Sequence, residues 1–175
     1  MIISVEEIMK RPEFKGQYSD VVREKLEALE MTIREYTHNS FQNRSIRFMA
    51  SSEGNILNGT SPFLRVGDTI QISQSQVNDG LYVITELCSG YVKVDKDLFD
   101  APYNLVTKIE YPASVKAGVI DLMTWKETTK DKIGIKSETL SRHTVTYYDQ
   151  DSSNQINGYP VSLLGFLEPY KKARF

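Results

Sequence analysis

The sequence predicts an α+β protein in which helices at both ends of the chain enclose a small antiparallel β-barrel or sandwich module. Apolar residues recur at helical spacing before residue 40 and after residue 112, whereas they alternate, between glycines, from 45 to 109. We expect the β-module to be inserted into a helical scaffold. The predicted parts are N-terminal helices over 1–44, the β-module over 45–110, and a C-terminal helix, extended arm and tail helix over 111–175.

Two helices are expected before the β-module. Ser4 and Glu7 form a capping box, and the short helix that they start should end at Pro12. A longer helix is expected over Ser19–His38, with one apolar face made by Val22, Leu26, Leu29, Ile33 and Tyr36. This face packs either on its own domain or on a neighbouring subunit, and the pattern leaves both interpretations open.

The middle of the chain has the residue pattern that is typical of short strands. Pairs of alternating apolar residues, such as Ile70 with Ile72 and Tyr82 with Ile84, are separated by turn residues. Asn78-Asp79-Gly80 lies between two such runs, and these residue types tolerate positive φ, so a hairpin is expected there. We predict roughly five strands in a compact barrel or sandwich.

The C-terminal third begins with a helix opened by Pro112, with an apolar stripe made by Val115, Val119, Leu122 and Met123. A strand over His143–Tyr148 and a tail helix over Tyr159–Tyr170 follow. Tyr147 and Tyr148 point to opposite faces of the strand, so at least one should need a partner outside the main core. The tail is aromatic and basic, which favours an interaction surface. A docked helix with a frayed end is the alternative.

Composition excludes several classes of protein. Lys and Arg number 21 against 23 Asp and Glu, a net charge of −2, which argues against a general DNA-coating protein. The single cysteine, Cys88, excludes an internal disulfide and is expected to be a small buried hydrophobe. No apolar run approaches the roughly 18 residues needed to cross a bilayer, and we expect a soluble chain that is intracellular when made.

The chain offers no set of residues for catalysis. His38 and His143 lie far apart, and neither has a neighbouring ligand at zinc or triad spacing. The loop from Asp149 imitates the start of a calcium loop and then departs from it, and the carboxylates around Asp97 are expected to solvate a turn. We predict that the protein is not an enzyme and has no cofactor and no metal.

Several segments together resemble the head–tail connector proteins of tailed phages, also called adaptor or head-completion proteins. They are Tyr111–Ala113, Val119–Trp125, Ile133–Glu138, His143–Tyr147, Gly158–Pro160 and Leu163–Tyr170. Two further segments, Phe63–Ile72 and Asn78–Ile84, resemble the β-module of larger members from Gram-positive siphophages. The resemblance covers nearly the whole chain.

This resemblance implies a helical-bundle connector scaffold and a non-enzymatic structural protein of the virion neck. Such proteins form a ring of identical subunits, typically dodecameric, which is assembled in the host cytoplasm and docks on the portal protein. The ring extends the channel through which double-stranded DNA passes without sequence specificity during packaging and ejection. It also provides the platform for the next neck protein, the stopper. No membrane is involved.

The resemblance also implies two sets of contact residues. The subunit interface would use Ile135, Lys136, Glu138, Val145, Tyr147 and Tyr148. The portal-binding tail, which is expected to be loose until the portal is present, would use Tyr159, Pro160, Leu164, Phe166, Tyr170, Lys171, Lys172, Arg174 and Phe175. The alternative is a nucleic-acid-binding β-barrel whose surface is made by Arg47, Arg65, Tyr82 and Lys93.

Overall fold

The computed structural model describes residues 1–130, 137–140, 143–146, 155–156 and 158–173. The chain forms two compact units. The barrel unit comprises Met1–Ser4 and Ser40–Tyr111, and the helical unit comprises Val5–Asn39 and Pro112–Phe175. The helical unit is therefore built from two segments of the chain, one before and one after the barrel residues in sequence.

Six antiparallel strands form a closed barrel in the barrel unit. They are β1 (Gln42–Glu53), β2 (Ile56–Asn58), β3 (Thr69–Ser73), β4 (Gly80–Leu87), β5 (Val92–Val94) and β6 (Ala101–Ile109). Their order around the barrel is β1-β2-β5-β4-β3-β6, so β6 pairs with β1 and closes the sheet. Closure removes the exposed strand edges through which open sheets associate.

Alternation along the strands fills the barrel with apolar side chains. The buried residues of this core are Ala50, Leu57, Leu64, Ile70, Ile72, Ile84, Val92, Val94, Leu98 and Val106. Strand β1 pairs with two neighbouring strands: Asn43–Ala50 pairs mainly with β6, and Ser51–Glu53 pairs with β2. Register shifts within its pairing with β6 let the strand bend around the barrel.

The hairpin expected near Asn78 is confirmed. Strands β3 and β4 pair antiparallel, with Ile70 opposite Tyr82 and Ile72 opposite Gly80. The connection covers residues 74–79 and is longer than a two-residue turn. Asn78 is buried within this connection, so it has a role beyond turn formation.

The helical unit begins with α1 (Val5–Met9) and a 3₁₀ turn at Pro12–Phe14, followed by α2 (Ser19–Thr37). The predicted long helix is therefore confirmed. Its apolar face is buried at Val22, Leu26, Leu29 and Ile33, while Tyr36 is half-buried. This burial lies within the chain's own structure, as the first of the two interpretations of this face requires.

The remainder of the helical unit contains α3 (Ala113–Thr129), which buries the predicted stripe from Val115 to Met123. Two small antiparallel pairs follow: β7 (Ser137–Leu140) with β8 (His143–Thr146), and β9 (Gln155–Ile156) with β10 (Tyr159–Pro160). The last element is a 3₁₀ helix over Val161–Tyr170, here called the tail helix, which contacts both α3 and α2.

The predicted helical-bundle scaffold is wrong. The described residues form a mixed α/β structure with a closed six-stranded antiparallel barrel and three α-helices, of which α1 has only five residues. A bundle needs several helices of three or more turns packed side by side. Here Pro12 follows α1 closely, and the tail helix is 3₁₀ with Pro169 inside it, where proline supplies no backbone donor.

The expectation of a tail that stays loose is also wrong for residues 161–170. Leu164 and Leu167 are buried, and the ring of Phe166 lies against Gly118 of α3. The backbone amide of Lys172 donates to the carbonyl of Thr37 at 2.8 Å. Apolar burial and these polar contacts fix the tail helix on its own unit.

Gly118→Ala tests this packing. A Cβ at this position would overlap the ring of Phe166, so we expect a loss of about 1 to 2 kcal/mol, because overpacking outweighs the gain in helix propensity. Unfolding in denaturant is followed by the fluorescence of Trp125, which lies in α3. Gly165→Ala is the control, because open space surrounds that position. Equal stability of both variants would contradict the contact between Phe166 and Gly118. Adding Phe166→Leu to Gly118→Ala should recover part of the lost stability.

Candidate interaction surfaces

One end of the barrel, here called the Phe99 end, consists of the last residue of β1, Glu53, and three connections: residues 54–55, 74–79 and 95–100. The amide of Leu98 donates to the carbonyl of Gly54 at 2.7 Å, and the Asp100 carboxylate accepts from the amide of Gly54 at 3.3 Å. Asn78 joins the connection after β3 to the one after β5. Hydrogen bonds thus hold the three connections together.

A buried amide is the centre of this end. The amide of Phe99 donates to Oδ1 of Asn78 at 2.8 Å, and Nδ2 of Asn78 donates to the carbonyl of Phe99 at 2.8 Å. Nδ2 of Asn78 also lies 3.1 Å from Oγ of Ser52 and 3.2 Å from Oδ1 of Asn104. Asn78 and Asn104 are 2% and 0% exposed. A buried side chain that bonds both the backbone amide and the backbone carbonyl of another residue holds that residue's backbone firmly in place.

The fixed backbone carries exposed apolar side chains. Phe99 is 71% exposed and Val77 is 54% exposed, although each is next in sequence to a buried residue. This end of the barrel also carries four exposed carboxylates and one exposed lysine. The carboxylates are Glu53, Asp79, Asp97 and Asp100, and the lysine is Lys96. The Phe99 end is therefore an apolar projection with an acidic rim. Sequence reasoning missed it, because Asn78 was read only as a turn residue.

A second surface lies in the helical unit, along α2. Two adjoining cavities, of about 360 and 290 Å³, share Lys25 and Lys126 in their linings. Tyr18, just before α2, and Val21, Lys25, Ala28 and Thr32 on α2 all line these cavities. They are spaced three or four residues apart and so form one stripe beside the buried face. We call this the α2–α3 groove. Tyr18 is 80% exposed at one end of it.

The charges of the groove are arranged around Glu127. Its carboxylate bonds Nζ of Lys25 at 2.5 Å and Nζ of Lys130 at 3.3 Å, and its side chain is only 8% exposed. Burial acts to raise the pKa of Glu127, but the hydrogen bonds and charges of the two lysines outweigh it and lower the pKa. Lys126, with Nζ 5.5 Å from the centre of the Tyr159 ring, is exposed on the same wall.

The residues predicted for the portal-binding tail divide into a buried and an exposed set. Tyr159, Pro160 and Leu164 are buried, and Phe166 and Tyr170 are half-buried. Lys171 and Lys172 are exposed. Nζ of Lys171 bonds the Glu168 carboxylate at 2.8 Å and lies 4.1 Å from the centre of the Tyr36 ring. Arg174 and Phe175 lie outside the described residues.

The residues predicted for the subunit interface are placed only in part. Glu138 lies in β7 and Val145 in β8, and the two are register partners. Ile135, Lys136, Tyr147 and Tyr148 lie outside the described residues. Among the strands that the structure describes, none joins β7 and β8 as a third strand.

The residues of the nucleic-acid alternative lie on three different strands and in one connection. Arg47 is held on β1, where its Nε donates to Oγ1 of Thr107, and Arg65 lies in the connection between β2 and β3. Tyr82 packs against the barrel core, and its hydroxyl donates to the carbonyl of Asn78 at 2.9 Å. Burial raises the pKa of Tyr82. Lys93 on β5 is paired with Glu86 at 2.7 Å.

Other polar residues have structural partners. Asp95 accepts from the amide of Val83 at 2.8 Å, and the described residues contain no group of three or more side chains suited to a metal ion. The loop that imitates a calcium loop lies largely outside the described residues. The prediction of a buried Cys88 is wrong, because the side chain is half-buried and its thiol lies 3.2 Å from the Glu86 carboxylate.

These features define a mixed α/β protein with a closed antiparallel barrel and a candidate surface in each of its two units. No protein-family model and no curated protein matches the chain. In the part of the chain that the structure describes, none of the helices combines the length and the apolar character needed to cross a membrane.

Asn78→Ala tests the Phe99 end. The substitution removes the hydrogen-bond acceptor of the Phe99 amide and a donor to the side chain of Asn104. We therefore expect the free energy of unfolding to fall by about 2 to 4 kcal/mol. The measurement is denaturant unfolding, with amide hydrogen exchange at Phe99. Asn58→Ala is the matched control, because its side chain is exposed, and should change stability by less than about 0.5 kcal/mol. Similar losses in both variants would refute the role of Asn78.

Glu127→Gln tests the charge arrangement of the groove. The lowered pKa means that the ion pairs stabilise the folded state above the ordinary carboxyl pKa and cease to do so as pH falls through the lowered value. We expect a loss of about 1 kcal/mol near neutral pH, after allowing for solvent screening, and almost none in acid. Unfolding is measured across pH with Glu24→Gln, an exposed groove residue, as control. A pH-independent difference would contradict the pairing.

Proposed function

We propose that this chain is a non-enzymatic structural protein of the neck of a tailed phage. In this proposal, identical copies form a ring, the head–tail adaptor, that docks on the portal protein. The ring extends the DNA channel and provides the platform for the next neck protein. The resemblance of the sequence to connector proteins suggests this function, and the features below support it.

The observation that carries the proposal is the pair β7 and β8. It lies in the segment for which the resemblance implies contacts between subunits, and it is a two-stranded sheet. Two strands alone are marginally stable in water, and no strand among the described residues pairs with the outer edge of either one. Pairing or packing against another copy would stabilise such a hairpin, as a ring of identical subunits requires.

The tail supports the proposal in a modified form. Its apolar residues pack inside the helical unit, so they stabilise the unit that presents the tail. Lys171 and Lys172 remain exposed and are the described tail residues best placed to reach a portal. We therefore propose that the tail contacts the portal through its cations while its tail helix stays packed.

The charge of the chain agrees with a channel for moving DNA. Tight phosphate binding requires clustered basic residues, whereas this chain has a net charge of −2. The scattered positions of Arg47, Arg65 and Lys93 give the nucleic-acid alternative no specific support. Contact with passing DNA without sequence specificity is the proposal that fits.

The direct test is to mix the full-length chain with the portal of the phage that encodes it and to image the mixture by electron microscopy. We expect a stoichiometric ring on one end of the portal. Portals that stay bare at saturating concentration would refute the proposal. Binding to bare DNA that falls steeply with salt, without portal binding, would favour the nucleic-acid alternative instead.

Lys172→Glu tests the tail contact without removing buried residues. The side chain of Lys172 is exposed, and only its backbone amide bonds Thr37, so folding should be unaffected. We expect portal affinity to fall about tenfold, measured by co-sedimentation. Lys116→Glu is the matched control, since it reverses an exposed lysine on α3. Unchanged affinity of Lys172→Glu would show that the exposed tail cation is not part of the contact.

A further inference from the structure

We infer that the Phe99 end of one copy inserts into the α2–α3 groove of a second copy. This inference rests on the proposed function and deepens it, because it names the two surfaces that would join neighbouring subunits. One surface projects and the other is concave. A contact between two different surfaces of identical chains is head-to-tail, which is the kind that can close into a ring.

The shapes of the two surfaces fit. Phe99 is exposed, yet its backbone is fixed on both sides by the buried amide of Asn78. An aromatic side chain on a rigid backbone loses little conformational entropy on binding, and such residues are frequent anchors at the centres of interfaces. The larger cavity of the groove, about 360 Å³, is bordered by the apolar parts of Tyr18 and Val21.

The charges are complementary as well. The exposed carboxylates Glu53, Asp79, Asp97 and Asp100 lie on the same end of the barrel as Phe99. Three lysines line the larger cavity of the groove, Lys25, Lys126 and Lys130, while the carboxylate of Glu127 is buried between two of them. The exposed carboxylate of Glu24 borders the smaller cavity. Lys126 is exposed on the groove wall and is the cation best placed to meet an incoming carboxylate. An acidic rim around a projection and a basic rim around a groove favour one orientation of contact.

The structure also argues against a partner that binds the Phe99 end by strand pairing. The barrel is closed, so this end has no free strand edge to offer. Recognition here must depend on side chains. A second copy of the chain supplies both required features, an apolar cavity and clustered lysines, on its own helical unit.

The first test compares Phe99→Ser with Tyr103→Ser. Both aromatic residues are exposed, at 71% and 70%, so neither change should affect folding, but Tyr103 lies on the outer wall of β6. Self-association of the full chain is measured by sedimentation across a concentration series. We expect Phe99→Ser to weaken it at least about tenfold and Tyr103→Ser to leave it within about twofold. Equal effects of the two variants, or a wild-type chain that stays monomeric throughout, would overturn the inference.

The second test uses charge reversal and mixing. Lys126→Glu and Asp97→Lys each place like charges at the contact, so each variant alone should associate at least about tenfold more weakly than the wild type. In an equal mixture, the altered groove meets the altered end and the unaltered groove meets the unaltered end. We expect the mixture to recover wild-type association. A mixture no stronger than its components would overturn the inference.

The outcomes separate this inference from the proposed function. If Phe99→Ser and Lys126→Glu still form complete rings on the portal, with the same stoichiometry as the wild type, the named contact is wrong and the neck function stands. If the wild type self-associates through these residues but never docks on portals, the contact stands and the neck function is wrong.

Discussion

The barrel depends on a buried amide at the place where strand pairing cannot continue. At the Phe99 end, three connections must close over the core, and their backbone groups need partners other than strands. Asn78 supplies them by bonding both the amide and the carbonyl of Phe99, and its Nδ2 lies within hydrogen-bonding distance of Ser52 and Asn104. Such a cluster is favourable only when every member is satisfied, and the described residues contain no buried side-chain nitrogen or oxygen without a partner. The same bonds hold Phe99 in a fixed, exposed position.

The helical unit combines packing and surface in one segment. The tail helix places Leu164 and Leu167 inside and the ring of Phe166 over Gly118, where any larger residue would collide with it. Directly after it, Lys171 and Lys172 face solvent. A segment of this design can bind through its exposed residues without unfolding, so binding does not carry the entropic cost of ordering a loose tail. This is the physical reason why the proposed contact with a portal is assigned to the lysines.

The residue pattern within each segment predicted most of the helices and strands, but it did not predict how they assemble. The spacing of Val22, Leu26, Leu29 and Ile33 predicted α2 and its buried face, because helix periodicity is a local property. Barrel closure depends on the pairing of β1 with β6, residues far apart in sequence, and six strands rather than about five are present. The bundle was wrong because the first predicted helix has only five residues and the predicted tail helix is a 3₁₀ helix. The role of Asn78 could not be foreseen, since the partners of its side chain lie on β1, on β6 and in the connection after β5.

The two proposed contacts between copies differ chemically, and their combination would have a consequence for assembly. Pairing at an edge of β7 or β8 would use backbone hydrogen bonds, which are nearly independent of side-chain identity and so bind without much selectivity. Contact between the Phe99 end and the α2–α3 groove would use a particular aromatic residue and particular charges, which reject surfaces of the wrong sign. Side-chain contact can select the neighbour and its orientation, while backbone pairing adds strength once that orientation is set. An assembly of identical subunits needs both, because strength alone does not distinguish a closed ring from an open chain of subunits.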